Sequence, residues 1–124
     1  MSAFVEVKTQ DLFGGALDWA VGRADGLDMS ITPPNYGDGV ALAFITGTDP
    51  LYRPSSDWSL AGPLQERHRI NSGPLRDGTW TASPLRPNAP TTWMNSESAT
   101  VAICRAIVVD KIGMVVSVPR DLLP

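Results

Sequence analysis

The clearest run of apolar and polar positions at helical spacing lies toward the C-terminal end. Val101, Cys104, Ile107 or Val108, and Ile112 recur at core spacing, Ser96 or Ser98 precedes them as a cap, and Gly113 ends the run. An earlier run over 12–24 places Leu17, Val21 and Ala24 on one face, with Thr9 as N-cap, Asp11 in the first turn and Gly26 as the stop. Gly14 and Gly15 each lower helix propensity by about 1 kcal/mol relative to alanine, so either something packs close to that backbone or the first turn frays. Strand-like runs at 27–31 and 40–46 flank a turn-rich stretch at 32–39, which predicts a hairpin with a long loop. A second hairpin is expected over 71–82, with Gly73-Pro74 and Asp77-Gly78 as turn signals and Trp80 toward the core. Residues 114–118 predict a last strand, stopped by Pro119. Between these elements, 47–62 reads as a long ordered loop, Pro63 opens a short helix through about Arg69, and the proline-bearing 83–95 reads as a surface loop. The irregular mixture predicts an α+β fold: one domain over 1–124 with a small, mostly antiparallel sheet of about five strands, two main helices and one short helix.

Composition narrows the function. A chain of 124 residues with 43% hydrophobic composition buries roughly two thirds of its unfolded surface in one core. Its formal charge is -3, and its ten basic residues are scattered, which predicts no duplex DNA binding. Eight of the ten are arginine, whose planar fork suits a small anionic ligand, although arginine-rich composition is also produced by genomic bias. Cys104 is the single cysteine and His68 the single histidine, so no internal disulfide and no zinc cluster is expected. Residues 1–8 lack the pattern of a secretion signal and no run approaches the ~20 apolar residues of a membrane span, which predicts a cytoplasmic protein without membrane contact.

Candidate chemistry centres on Asp57-Trp58-Ser59, preceded by Ser55 and Ser56. In a structural role Ser56 or Asp57 caps the helix and Trp58 plugs the core; in a functional role an aromatic plate beside hydroxyl and carboxylate groups holds a nucleobase and its phosphate or ribose. Asp18, beside Trp19, is a poor helix former in mid-helix, which points either to a partner across the fold or to plain solvent exposure. Glu66 and His68 face away from each other on a helix. No nucleophile elbow, P-loop or metal-ligand spacing is present, no cofactor is implied, and Cys104 reads as an unreactive core thiol.

Three segments carry a resemblance: LDWAVGRADG from Leu17, YRPSSDWSLAGPLQER from Tyr52, and ATVAICRAIVVDKIG from Ala99 with VSVP after it. In order and spacing the chain resembles NinX-like proteins of tailed bacteriophages and prophages. Ala61 stands where that family has the first glycine of a Gly-Gly-Pro, and the chain carries extra residues near Tyr36 and in the 83–95 loop. A weaker similarity to small phage α/β/α sandwich domains favours a central sheet. The resemblance implies a phage accessory protein and no known activity. The leading reading is a binding protein that captures a small nucleotide-like host-defence signal through Tyr52, Ser55, Ser56, Asp57, Trp58, Glu66, Asp18 and Trp19. One alternative is a module that binds a host or phage protein through Trp93 and Tyr36, and another is a small hydrolase using Asp18, Asp57 and Glu66.

Overall fold

A computed structural model of the protein describes residues 3–33, 40–48, 50–87 and 90–124. It is organised around α3 (Ala99–Lys111), the helix with the strongest sequence signal. Ser98 caps it by accepting the Val101 amide, and Gly113 at φ 134 follows it. Ala102, Ile103, Cys104, Ala106, Ile107, Val108 and Val109 are all buried, so this helix is apolar over more than one face and is covered from several sides. Ala102, Cys104 and Ala106 are small, which lets neighbouring elements approach its backbone.

Helix α1 (Gly14–Ala24) and helix α2 (Trp58–His68) both pack against α3. The α+β class is as expected, but the strand count among the described residues is seven, in three small antiparallel sheets rather than one sheet of about five. β1 (Phe4–Lys8) pairs with β7 (Val115–Pro119), β2 (Met29–Ile31) pairs with β3 (Ala43–Ile45), and β4 (Ile70–Pro74), β5 (Trp80–Pro84) and β6 (Met94–Ser96) form a sheet in that order. Both expected strand pairs are present, with Met29 opposite Ile45 and Pro74 opposite Trp80. Residues 34–39 of the first expected loop lie outside the described residues, and Gly73-Pro74, expected as a turn signal, lies within β4 because the turn falls after it.

Several local expectations are corrected. Thr9 does not cap α1: it is fully buried in a short 3-10 turn, and its hydroxyl donates to the Gly113 carbonyl at 2.6 Å. Phe13 occupies the N-cap position of α1 without a side-chain cap. The expected close approach at the start of α1 is found at Gly15, where a Cβ would lie 3.3 Å from the Ala41 carbonyl oxygen. Helix α2 begins five residues before Pro63, which lies inside it. Within 83–95, Ser83 and Pro84 are buried in β5 and Met94 is buried in β6, so this stretch is not all surface loop. Trp80 and Val101 pack against the core but are only partly buried, whereas Ile112, expected inside, is 42% exposed because α3 has ended at Lys111.

This arrangement fixes a contrast between neighbouring isoleucines. Ile107→Ala removes a fully buried side chain and is expected to cost about 2 to 5 kcal/mol, while Ile112→Ala should stay within about 0.5 kcal/mol of the wild type. Urea denaturation of the two variants measures this; equal losses would contradict the placement of the helix end.

Candidate functional site

The stretch from Tyr52 to Glu66 is held to the core by backbone bonds before any of its side chains act. The Tyr52 amide donates to the Ala43 carbonyl at 3.0 Å, extending the contact of this loop with β3. A turn follows, in which the Ser56 amide donates to the Arg53 carbonyl at 3.1 Å while Pro54 and Ser55 are buried. Asp57 then caps α2: its carboxylate accepts the Ser59 amide at 2.9 Å and the Ser59 hydroxyl at 2.6 Å. These bonds from Ser59 hold the Asp57 carboxyl below its ordinary range.

Asp18 resolves the choice left open for it. It is buried, and its Oδ1 accepts the Ser55 amide at 2.8 Å. The Ser55 carbonyl in turn accepts the Thr100 hydroxyl at 2.6 Å. A buried carboxylate on α1, one residue of the loop and a hydroxyl on α3 are thereby joined in line. Burial pushes the Asp18 carboxyl up to about 6, against the Ser55 bonds and the attraction of Arg53, which favour the ionised form.

The eight expected site residues do not converge on one place. Asp18 and Ser55 meet inside the fold. Tyr52 and Asp57, with Leu51 and Leu60, line a mostly apolar groove of about 300 Å³. Ser56 and Glu66 are exposed, and Glu66 borders a separate hollow with Arg69 and Leu85. Trp58 is 54% exposed, so it does not plug the core. Among the described residues, no three His, Cys, Asp or Glu side chains are placed to hold a metal ion.

Trp19 faces elsewhere, into a concavity of about 530 Å³ lined also by Phe4, Arg23, Met29, Ser30, Ile31 and Pro119. The Phe4 and Trp19 rings are tilted by 60° with centroids 5.9 Å apart, and the Arg23 guanidinium carbon lies 5.7 Å from the Trp19 ring centroid. Trp19 and Arg23 are four residues apart on α1 and so share a helical face. The floor depends on Gly22, because a Cβ there would lie 2.2 Å from the Met29 sulfur. A mid-helix glycine costs about 1 kcal/mol in propensity relative to alanine, and here the missing side chain lets Met29 lie across the helix backbone. Gly22 and the Trp19–Arg23 spacing are the signals that would have located this concavity from the sequence.

A second group was also missed. Asp25, at the C-terminal end of α1, accepts from Arg67 through Nη2 at 2.7 Å and Nε at 3.3 Å, and lies 2.8 Å from His68 Nε2. Burial disfavours ionised Asp25, but the bonds from Arg67 and His68 outweigh it and leave the carboxyl below its ordinary range. His68 therefore pairs across the fold with Asp25. Burial raises the Tyr52 hydroxyl well above its ordinary range, with the nearby Asp25 carboxylate adding to the effect. Cys104 is fully buried and burial likewise raises its thiol, which keeps it an unreactive core residue.

A family model described as Bacteriophage P22, NinX matches residues 8–111. The match takes in α1, α2, α3 and the loop that carries Ser55, whereas Phe4 and Pro119 of the concavity lie outside it. No curated protein matches the chain.

The raised Asp18 carboxyl has a consequence for stability. A carboxyl that holds its proton more tightly when folded adds stability at acid pH, and that contribution is lost as the pH rises from about 4 to about 6, by up to roughly 3 kcal/mol. Asp18→Asn mimics the protonated form and should lack this loss, so the variant should gain on the wild type between about pH 4 and about pH 7. Urea midpoints across that range measure it; parallel curves for the two proteins would contradict the assignment.

Proposed function

The chain belongs to the bacteriophage P22 NinX family, and on that premise we propose that it is a phage accessory binding protein whose Trp19 concavity captures a small, planar, anionic ligand of nucleotide type. A host-defence signal of that chemistry would be the biological target. The observation that carries this reading is the Arg23 guanidinium over Trp19 beside Phe4 in a concavity of about 530 Å³. Its volume falls within the range usual for small-ligand sites, roughly 300 to 1,000 Å³. Aromatic surface takes up a base plane, and a guanidinium supplies a planar fork for phosphate. Ser30 adds a hydroxyl at the wall.

The loop from Tyr52 to Glu66 supports this reading indirectly. Through Ser55 it binds Asp18, the residue before Trp19, and through Arg67 and His68 the following helix binds Asp25, two residues beyond Arg23. The segment of α1 that carries Trp19 and Arg23 is thus pinned at both ends, and a site whose side chains are already positioned loses less on binding.

A second reading, a module that docks on a host or phage protein, is favoured by Trp58 and Trp93, each 54% exposed, since exposed tryptophans are frequent anchors of interfaces. Tyr36, the other anchor expected for that reading, lies outside the described residues.

Titration of tryptophan fluorescence with 5′-mononucleotides and dinucleotides tests the ligand reading. A saturable change is expected, weakened at least about tenfold by Arg23→Ala, which removes the guanidinium contact. Gly22→Ala should also weaken it, by pushing the Met29 side chain toward the cavity, while leaving a helix of equal or better propensity. No saturation by any nucleotide, or saturation indifferent to both substitutions, would overturn the proposal.

A further inference from the structure

On α3, Arg105 is half-buried, and its bonds are unusual for a cation. Its Nε donates to the Leu12 carbonyl at 2.8 Å and its Nη1 to the Asn95 carbonyl. The Asn95 backbone is itself clamped by Gln10, whose amide nitrogen donates to the same carbonyl at 2.9 Å and whose amide oxygen accepts the Asn95 N–H at 3.2 Å. Neutral carbonyls fix the guanidinium in place, and no carboxylate lies within ion-pairing distance of it among the described residues. Burial without a contacting anion depresses the Arg105 pKa, only partly offset by Asp11.

This pinned cation opens on a concavity of about 560 Å³ whose other charged walls are Asp77 and Glu97. It shares no lining residue with the Trp19 concavity. Asp77 is engaged in its own turn, accepting the Thr79 amide at 3.0 Å and the Thr79 hydroxyl at 2.6 Å, and these bonds keep its carboxyl ionised. One fixed guanidinium facing two carboxylates repels phosphates and other polyanions. The same arrangement suits a compact ligand that brings both a carboxylate and an ammonium group.

We propose that the hollow between Arg105, Asp77 and Glu97 is a second binding site, for the zwitterionic headgroup of a free amino acid. The ligand carboxylate meets the guanidinium edge left open by Leu12 and Asn95, and its ammonium group lies toward Asp77 and Glu97. The exposed Leu75 offers apolar surface for a side chain. A bidentate carboxylate–guanidinium contact supplies orientation as well as attraction.

NMR titration of the full chain, following the Arg105 Nε–H and the amides of Asn95 and Glu97, tests the site with L-leucine, glycine, acetate, methylammonium and inorganic phosphate as separate probes. Saturable shifts are expected with both amino acids, tighter for L-leucine, and none with phosphate. Arg105→Lys should weaken L-leucine binding at least about tenfold, through loss of the bidentate fork. Arg105 also braces Leu12 and Asn95, so that variant can fail to fold. Glu97→Gln, at an exposed position, supplies the independent arm: it should weaken the amino acids while admitting acetate. Phosphate or acetate binding as tightly as the amino acids in the wild type would overturn the zwitterion assignment. Absence of saturable shifts with L-leucine, or L-leucine binding unaltered by Glu97→Gln, would overturn the site.

Discussion

The buried line from Asp18 through Ser55 to Thr100 is the constraint around which the remaining structure is arranged. A carboxylate within a core destabilises the fold unless its oxygens find donors, and here the donor is the backbone of a loop residue. That loop residue is fixed by a hydroxyl on the central helix. The line therefore sets three distances together: α1 to the loop, the loop to α3, and by consequence α1 to α3. Apolar packing of Leu17, Val21, Ile103 and Ile107 supplies most of the driving force, but it is non-directional. The polar line gives the loop one register against the two helices.

Function is read from what this register does to α1. Asp18 points inward, Trp19 and Arg23 face the concavity, and Asp25 is held by Arg67 and His68. Helix α1 is consequently a rigid bar with one wall of a cavity on it. Among the described residues no helix is long and apolar enough to cross a membrane, and none of the clusters has the ligand set of a metal site. Among the described residues, the Trp19 concavity and the polar hollow by Arg105 are the open volumes on which the two proposed ligand sites rest.

Much of this was legible in the sequence, and the gaps have physical reasons. The buried face of α3 was visible because its apolar residues recur at helical spacing, and the two hairpins were visible because turn formers separate strand-like runs. β6 was not legible: a three-residue strand in a proline-bearing stretch is fixed by its partner β5, not by its own residues. β1 was not read as an element: only Val5 and Val7 alternate with Glu6 and Lys8, and the strand is fixed by its partner β7, over a hundred residues away. The start of α2 was misplaced because Pro63 is common at the first position of helices, whereas here Asp57 has already capped the helix through Ser59. Of the expected site residues, Asp18 was legible as a poor helix former that needs either a partner across the fold or solvent, and its partner is the Ser55 amide, in a joint inside the protein. Trp19 lies in the concavity, and its companions Arg23 and Met29 were passed over because each is unremarkable alone.

The coupling within the buried line is measured most directly by a double-mutant cycle of Asp18→Ala, which removes the acceptor of the Ser55 amide, and Thr100→Val, read as unfolding free energies at one neutral pH. If the line acts as a unit, the two changes should be non-additive by more than about 0.5 kcal/mol, since each alone already releases Ser55. Effects that add to within about 0.3 kcal/mol would show that the carboxylate and the hydroxyl act independently, and would contradict the claim that they jointly fix the loop against both helices.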